Sequence, residues 1–157
     1  MHILIIGAAG MVGQKLTAQL LATATLGGDP IDKLTLVDVA LPDRPASRTI
    51  AIETQAADLA APGVAGQLVA SRPEVIFHLA AIVSGEAELD FDKGYAINLD
   101  GSRFLFEAIR QAGRNEPYCP RVVFTSSIAV FGAPFPERID DTFLMAPRTS
   151  YGTQKAI

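Results

Sequence analysis

Short apolar runs rich in β-branched residues recur along the chain and are separated by segments of helical length. The runs are HILII (2–6), KLTLVD (33–38), RTIAIET (48–54), EVIFHLA (74–80) and RVVFTSS (121–127). All but the third are nearly continuous in apolar character, which is typical of parallel strands buried on both faces. We therefore predict five strands of a parallel sheet.

The intervening segments carry apolar residues at helical spacing. This spacing is clear over residues 11–23, weaker over 60–71, and present over 91–112, where Gly113 is suited to end the helix. Alternating strands and helices joined by right-handed crossovers predict a doubly wound α/β sheet. Its ligand crevice is expected outside the carboxyl ends of the strands.

The segment GAAGMVG (7–13) follows the first predicted strand and opens the first predicted helix. In this position Gly7 can make a tight turn, Gly10 lets a pyrophosphate approach the backbone, and Gly13 lets helix and strand pack closely. The helix N-terminus, with Met11 and Val12, supplies donors to the phosphates. This context predicts a dinucleotide site, whereas the alternative is an ordinary tight turn.

Asp38 ends the second predicted strand, where an acidic side chain can accept hydrogen bonds from an adenosine ribose. Its charge would repel the additional phosphate of NADP, so we expect NAD to be the preferred cofactor. Arg44 and Arg48 lie downstream and could accept that phosphate, which leaves NADP as the alternative.

The segment TSYGTQKAI (149–157) places Tyr151 and Lys155 one helical turn apart. A tyrosine hydroxyl normally titrates at pH ~10, so it acts as a base at neutral pH only beside a positive charge. Lys155 supplies such a charge, and an oxidised nicotinamide ring would add another. The pair predicts a role in proton transfer, and the alternative is that both side chains lie on a solvated face of the helix.

Ser126 and Ser127 follow the fifth predicted strand and should emerge at the same edge of the sheet as the glycine loop. A hydroxyl there can hydrogen-bond the substrate oxygen that Tyr151 deprotonates, which is the positioning that acid–base catalysis requires. The alternative is that these serines end the strand and cap the next turn.

Composition and charge exclude several other classes of protein. The net charge is −4 and the basic residues are scattered, so no nucleic-acid partner is expected. There is no unbroken apolar segment of membrane-spanning length and no signal-peptide pattern, so we expect a cytoplasmic protein without a membrane partner. The single cysteine, Cys119, is expected to be a buried structural thiol, and no residue spacing indicates a metal site.

Seven short features occur in order along the chain. They are GAAGMVG, the acidic position Asp38, ADL (57–59), HLAA (78–81), NLDG (98–101), TSSIAVFG (125–132) and YGTQK (151–155). Together they resemble the extended short-chain dehydrogenase/reductase family, in its NAD-dependent epimerase/dehydratase group. The resemblance covers essentially the whole chain and implies a Rossmann-type fold that binds NAD.

This resemblance implies a role for each matching residue. Tyr151 is the catalytic base, Lys155 holds the nicotinamide ribose and favours the phenolate, and Ser127 orients the substrate, with Ser126 as its competitor. Further cofactor contacts are implied for Asp58, Leu59, Ala80, Ala81 and Asn98. His78 lies inside an apolar strand and is interpreted as a packed core residue.

Longer stretches narrow the reaction that the resemblance implies. Dehydratases of the group carry an Asp-Glu pair after the fifth strand, where this chain has Ser-Ser-Ile, so dehydration is disfavoured. The stretches 78–101 and 122–136 resemble the D-erythronate dehydrogenase branch, which implies oxidation of a secondary alcohol in a small sugar acid. Ser84, next to Gly85, could contact that substrate or cap the next helix, and Arg148 could meet its carboxylate or lie free on the surface.

Proteins of this family normally continue well past the Tyr-Lys pair. The resemblance therefore implies that residues 1–157 form one NAD-binding domain, incomplete at its C-terminus, and that the last strands and a smaller substrate domain lie outside this sequence. It also implies a homodimer for the full-length protein. Two alternatives to the dehydrogenase stay open, an NDP-sugar 4-epimerase and a dinucleotide-binding module without catalysis.

Overall fold

Five parallel strands form the central sheet of the computed structural model, which describes residues 1–157. The strands are β1 (His2–Ile6), β2 (Lys33–Asp38), β3 (Ala51–Ala56), β4 (Val75–His78) and β5 (Arg121–Phe124). They are ordered β3-β2-β1-β4-β5. The direction of winding reverses between β1 and β4, which is the switch point at which doubly wound sheets bind ligands. The predicted doubly wound α/β fold is therefore confirmed.

Six α-helices connect and cover the strands. They are α1 (Met11–Thr23), α2 (Val64–Ala70), α3 (Ser84–Leu89), α4 (Phe91–Gly94), α5 (Gly101–Ala112) and α6 (Ser150–Ala156). A π-helical segment, Tyr95–Asp100, joins α4 to α5, and a 3₁₀ turn spans Ile128–Val130. A short hairpin pairs Thr25–Leu26 with Asp29–Pro30. None of the helices has the length and apolar character needed to cross a membrane.

The central strand β1 divides the core into two layers because successive side chains of a strand point to opposite faces of the sheet. Ile3 is buried in the layer that contains Leu20 of α1. Leu4 is buried in the other layer, together with Leu105 of α5. Because burial of one such side chain contributes about 1.5–3 kcal/mol, the two layers hold the sheet rigidly between its helices.

β1 and β2 have the predicted bounds, whereas β4 and β5 end earlier than their apolar runs predict. β1 stops at Ile6 because Gly7 turns the chain with a φ of 93°. Strand pairing of β4 ends at His78 and that of β5 at Phe124, so the remaining residues of both predicted runs form loops at the carboxyl edge. The third strand covers Ala51–Ala56 rather than 48–54, because β2 offers partners only along its own length.

The helices agree with the prediction in part. The bounds of α1 are those predicted, whereas the predicted helix over 60–71 forms only over Val64–Ala70. The predicted helix over 91–112 consists of α4, the π-helical segment and α5 in succession. It ends as predicted at Gly113, whose N–H donates to the carbonyl of Ile109.

Two further features differ from the sequence prediction. Helix α3 is absent from that prediction, because its sequence SGEAEL buries only Ala87 and so lacks a helical apolar stripe. Cys119 is exposed, which corrects the expectation of a buried thiol. It lies between two prolines in the loop before β5, outside both core layers.

Candidate active site

A cleft of about 400 Å³ opens at the carboxyl edge of the sheet, over the ends of β1, β2 and β4. Most of its lining is apolar. Seven of the predicted cofactor contacts line it, namely Gly7, Gly10, Asp38, Asp58, Leu59, Ala80 and Ala81. A cleft of this size at a topological switch point is suited to a small-molecule ligand.

The glycine loop is built so tightly that two of its three positions exclude any side chain. A Cβ at Gly7 would lie 2.6 Å from the backbone nitrogen of Ala80, and Gly7 also has a positive φ. A Cβ at Gly13 would lie 2.2 Å from the carbonyl oxygen of Gly7. At Gly10 the nearest atom is that same oxygen at 3.4 Å, so the backbone there is open to the cleft. These contacts agree with the tight turn predicted at Gly7 and the close packing predicted at Gly13, and the approach of a pyrophosphate at Gly10 stays a prediction.

Met11 and Val12 occupy the first turn of α1 and do not line the cleft with their side chains. Met11 is 70% exposed and Val12 is 52% exposed. Only their backbone N–H groups, which have no partner within the first turn of the helix, can donate hydrogen bonds to a ligand. The prediction for these two residues is therefore restricted to the main chain.

Asp38 links the end of β2 to the glycine loop. Its Oδ2 accepts a hydrogen bond from the N–H of Ala9 at 2.9 Å, and its Oδ1 accepts one from the N–H of Val39 at 2.7 Å. The carboxylate is thereby held at the wall of the cleft. Arg44 and Arg48 are exposed in the following loop, and neither lines the cleft.

Asp58 and Leu59 form part of the lining of the cleft. The Oδ1 of Asp58 accepts a hydrogen bond from the N–H of Ala60 at 2.9 Å, which shapes its own loop. Leu59 is buried, with its side chain in the core layer of α5. The two residues therefore border the cleft on a loop whose backbone is held in place by this hydrogen bond and by the burial of Leu59.

Lys155 lies almost fully buried between α6 and the end of β5. Its side chain donates from Nζ to the carbonyl of Thr125 at 3.2 Å, and Nζ lies 4.7 Å from the centre of the Phe124 ring. Burial lowers the pKa of Lys155 to about 8. Lys155 is therefore still protonated at neutral pH, but burial of its charge has an energetic cost to the folded state.

This cost leads to a prediction for Lys155→Met. Below pH 8 the folded and unfolded chains both carry the proton, so removing the buried charge should raise the free energy of unfolding by about 1–3 kcal/mol. Between pH 8 and the ordinary lysine value of 10.5 the folded wild type releases its proton first, which stabilises it as pH rises. The advantage of the variant should therefore shrink across that window.

Urea denaturation of the NAD-free protein at pH 7 and at higher pH measures this difference. Lys15→Met provides the control, because Lys15 is an exposed lysine of α1. An advantage of Lys155→Met that is absent at pH 7, or that grows with pH, would contradict the prediction.

The two serines after β5 have different hydrogen bonds. The Oγ of Ser126 donates to the carbonyl of Lys155 at 3.1 Å, which commits its proton to α6. The Oγ of Ser127 accepts from the N–H of Ala129 at 3.2 Å, which leaves its own proton free to donate. The hydrogen-bond pattern favours Ser127 over Ser126 as the donor to a substrate, although Ser127 also caps the 3₁₀ turn that follows it.

Close backbone packing brings α6 against the 3₁₀ turn that follows the serines. A Cβ at Gly152 would lie 2.3 Å from the carbonyl oxygen of Ala129, so only glycine permits this approach. At the start of α6, the Oγ1 of Thr149 accepts a hydrogen bond from the N–H of Gly152 at 3.0 Å. The structure thus places the helix of Tyr151 beside the turn of Ser127.

Asn98 forms a buried link between α6 and the loop after β4. Its Oδ1 accepts from the N–H of Ile82 at 3.0 Å, and its Nδ2 donates to the Oε1 of Gln154 at 2.8 Å. Asn98 therefore acts behind the cleft wall and does not line the cleft itself. Gln154 is not among the residues predicted from the sequence, where its position beside Lys155 in YGTQK is the only available signal.

His78 is a packed core residue, as predicted. Its Nε2 lies 2.8 Å from the Oγ of Ser102, and its ring meets the Phe124 ring edge-on at 5.4 Å between centres. Burial, and secondarily the charge of Lys155, lower the pKa of His78 to about 4. The imidazole is therefore neutral near pH 7.

Ser84 and Arg148 do not line the cleft. Ser84 is the first residue of α3 and is exposed, and the residue that caps this helix is Val83. Arg148 is exposed just before α6, where its side chain passes close to Gly132. A substrate role for either residue stays a prediction.

Comparison with known proteins shows which family and which proteins the chain resembles. The chain matches the NAD dependent epimerase/dehydratase family over residues 3–157. It is similar to D-erythronate dehydrogenase of Cupriavidus necator, with 44% identity over 100% of this chain and 48% of that protein.

Solved structures show the same likeness. The nucleoside-diphosphate-sugar epimerase from Agrobacterium tumefaciens has 66% identity and a TM-score of 0.95, over 99% of this chain and 46% of that one. UDP-glucose 4-epimerase from Thermus thermophilus, in complex with NAD, has 26% identity and a TM-score of 0.77, over 99% of this chain and 48% of that one. The chain spans about half the length of these proteins. The family match extends over almost every residue, so the chain belongs to the NAD-dependent epimerase/dehydratase family.

Proposed function

We propose that this chain is the cofactor-binding part of an NAD-dependent dehydrogenase that oxidises a secondary alcohol of a small sugar acid such as D-erythronate. The observation that carries the proposal is the attachment of α6 to the end of β5. Through it Lys155 is buried beside the serine turn, one helical turn from Tyr151. Similarity to a D-erythronate dehydrogenase supports the substrate class.

The cleft supports NAD as the cofactor. Gly10 presents open backbone to the cleft, as a pyrophosphate requires, while Gly7 and Gly13 keep the turn closed behind it. Asp38 lies in the same wall, where its carboxylate can accept hydrogen bonds from ribose hydroxyls. The structural likeness to an NAD complex, that of the Thermus thermophilus enzyme, agrees with this assignment.

In the proposed reaction Tyr151 accepts the proton of the substrate hydroxyl while Ser127 donates a hydrogen bond to the same oxygen. Lys155, protonated at neutral pH, stabilises the phenolate by its positive charge. When bound, NAD supplies the acceptor for the hydride that leaves the alcohol carbon. The substrate thereby loses a hydride from its carbon and a proton from its hydroxyl oxygen, and becomes a keto acid.

An NDP-sugar 4-epimerase is the second candidate. The 66% identity to the nucleoside-diphosphate-sugar epimerase from Agrobacterium tumefaciens favours it. Tyr151, Lys155 and Ser127 would serve the same first step, because epimerisation also begins by oxidising an alcohol. An epimerase returns the hydride to its substrate, so it produces no net NADH.

Net formation of NADH distinguishes the two reactions. We would assay the full-length gene product by absorbance with NAD, a panel of four-carbon sugar acids and UDP-sugars. Turnover of D-erythronate with stoichiometric NADH is the expected result. Interconversion of a UDP-sugar without net NADH would replace the dehydrogenase by the epimerase, and the absence of both reactions would favour a binding module without catalysis.

Asp38→Ala should weaken the preference for NAD. The variant loses the acceptor for ribose hydroxyls and the charge that repels the phosphate of NADP, so we expect the ratio of kcat/KM for NAD over NADP to fall about tenfold or more. Steady-state kinetics with both cofactors measure this ratio. Asp43→Ala removes the same charge from the following loop and should leave the ratio unchanged, so equal effects of the two substitutions would refute the role of Asp38.

The same proposal extends to domain organisation and assembly. Residues 1–157 constitute the NAD-binding domain, and we propose that the full-length protein is a homodimer. Support for a protein partner comes from α5, whose outer face exposes Phe106 next to Arg103 and Arg110. Analytical ultracentrifugation of the full-length protein tests the dimer.

A further inference from the structure

Helix α3 holds the first turn of α6 through a single carboxylate. The Oε1 of Glu88 accepts a hydrogen bond from the backbone N–H of Tyr151 at 2.7 Å and another from the Oγ of Ser150 at 3.0 Å. Both donors belong to α6, whereas Glu88 lies on the exposed side of α3. The contact therefore ties together two helices that are far apart in sequence.

The position of this contact matters because the first N–H groups of a helix have no partner within the helix. In α6 the Oγ1 of Thr149 satisfies the N–H of Gly152, and Glu88 satisfies that of Tyr151. An α6 of only 7 residues has little helical stability of its own, so its first turn depends on such external acceptors. Without Glu88 the N–H of Tyr151 would turn to water and the turn would fray.

We propose that Glu88 is a positioning residue, which holds the backbone of Tyr151 so that its phenol meets the substrate hydroxyl in the geometry of proton transfer. This inference rests on the proposed function, in which Tyr151 is the base. It assigns no contact between Glu88 and the substrate or the cofactor. Both hydrogen bonds that Glu88 accepts are made by one oxygen, so an uncharged amide oxygen in its place can accept both.

The proposal predicts a difference between two substitutions. Glu88→Gln keeps an oxygen that can accept both hydrogen bonds, whereas Glu88→Ala removes it. We expect kcat to fall about tenfold in Glu88→Ala, because a small misplacement of a reacting group has a large effect on the rate. Glu88→Gln should retain at least about half of the wild-type kcat, and NAD affinity should stay unchanged in both variants.

Kinetics and hydrogen exchange together test this. Steady-state assays of the full-length protein give kcat and KM, and NADH fluorescence titration gives cofactor affinity. Deuterium exchange of a peptide spanning residues 149–153 reports the Tyr151 N–H, which should exchange faster in Glu88→Ala than in Glu88→Gln or the wild type. Glu86→Ala is the matched control, because Glu86 lies on the same helix but pairs with Lys93.

The two kinds of failure are distinguishable. Wild-type protein that forms no NADH from any sugar acid overturns the proposed function, yet the exchange measurement still tests the anchoring of Tyr151. Wild-type kcat and wild-type exchange in Glu88→Ala overturn the positioning role. The same holds if Glu88→Gln loses as much kcat as Glu88→Ala, since charge would then be the cause, or if Glu86→Ala matches both effects.

Discussion

Tyr151→Phe is expected to lower kcat for NADH formation by about 10³-fold while leaving the dissociation constant of NAD within about twofold of the wild-type value. The substitution removes only the hydroxyl that accepts the substrate proton. Helix α6 should stay in place, because its hydrogen bonds to Glu88, Thr125 and Asn98 use the backbone of Tyr151 or other side chains. Steady-state kinetics and NADH fluorescence titration provide the two measurements.

A second tyrosine of the chain provides the control. Tyr118 donates from its hydroxyl to the carbonyl of Pro73, at the opposite end of β4 from the cleft. Tyr118→Phe loses a hydroxyl of the same kind and should retain the wild-type kcat. If Tyr151→Phe kept more than about a tenth of the wild-type kcat, general-base catalysis by this phenol would be ruled out and another group would have to accept the proton.

The parts of the molecule that could be predicted from sequence are those whose signals are local. The glycine loop, α1 and Asp38 each depend on spacing within a few residues, and all three have the predicted placement. The same holds for Tyr151 and Lys155, whose shared helix is indicated by the interval between them.

The parts that escaped prediction depend on residues that meet only after folding. Glu88 contacts Tyr151 across 63 positions of sequence, and Asn98 contacts Gln154 across 56. One sequence contains no signal for such pairs, because polar residues at these positions are equally suited to a solvated surface. The ends of β4 and β5 escaped for a related reason, since each of these strands stops where its neighbour stops and not where its own apolar run does.

Gly13→Ala is the substitution expected to damage the cofactor site most. Its methyl group would lie 2.2 Å from the carbonyl oxygen of Gly7 and 2.7 Å from the Cα of Ala8, so α1 must move away from the end of β1. All the nearby atoms belong to backbone and cannot rotate aside. We expect the free energy of unfolding to fall by about 3 kcal/mol, because overpacking of a rigid site destabilises the fold, and we expect NAD affinity to fall about 100-fold.

Two alanine substitutions separate loss of fold from loss of cofactor binding. Gly66 lies in α2, and a methyl group added there would meet no atom within 4 Å apart from its chain neighbours and the backbone of its own helix. Gly66→Ala should therefore stabilise the protein by about 0.5–1 kcal/mol through helix propensity and leave NAD affinity unchanged. At Gly10 the methyl group meets only the Gly7 oxygen, at 3.4 Å, so Gly10→Ala should fold normally. It should nevertheless bind NAD about tenfold more weakly, because the methyl group occupies the space that a pyrophosphate needs.

Urea denaturation and NADH titration of the three variants therefore test whether each position is needed for folding, for cofactor binding or for neither. Gly13→Ala should fail in both measurements, Gly10→Ala only in the second and Gly66→Ala in neither. Wild-type NAD affinity in Gly10→Ala would show that the pyrophosphate does not approach this backbone, because no other consequence of the substitution could offset a methyl group in its path. The dinucleotide would then have to lie elsewhere in the cleft, and Asp38 would lose its argued place beside the ribose.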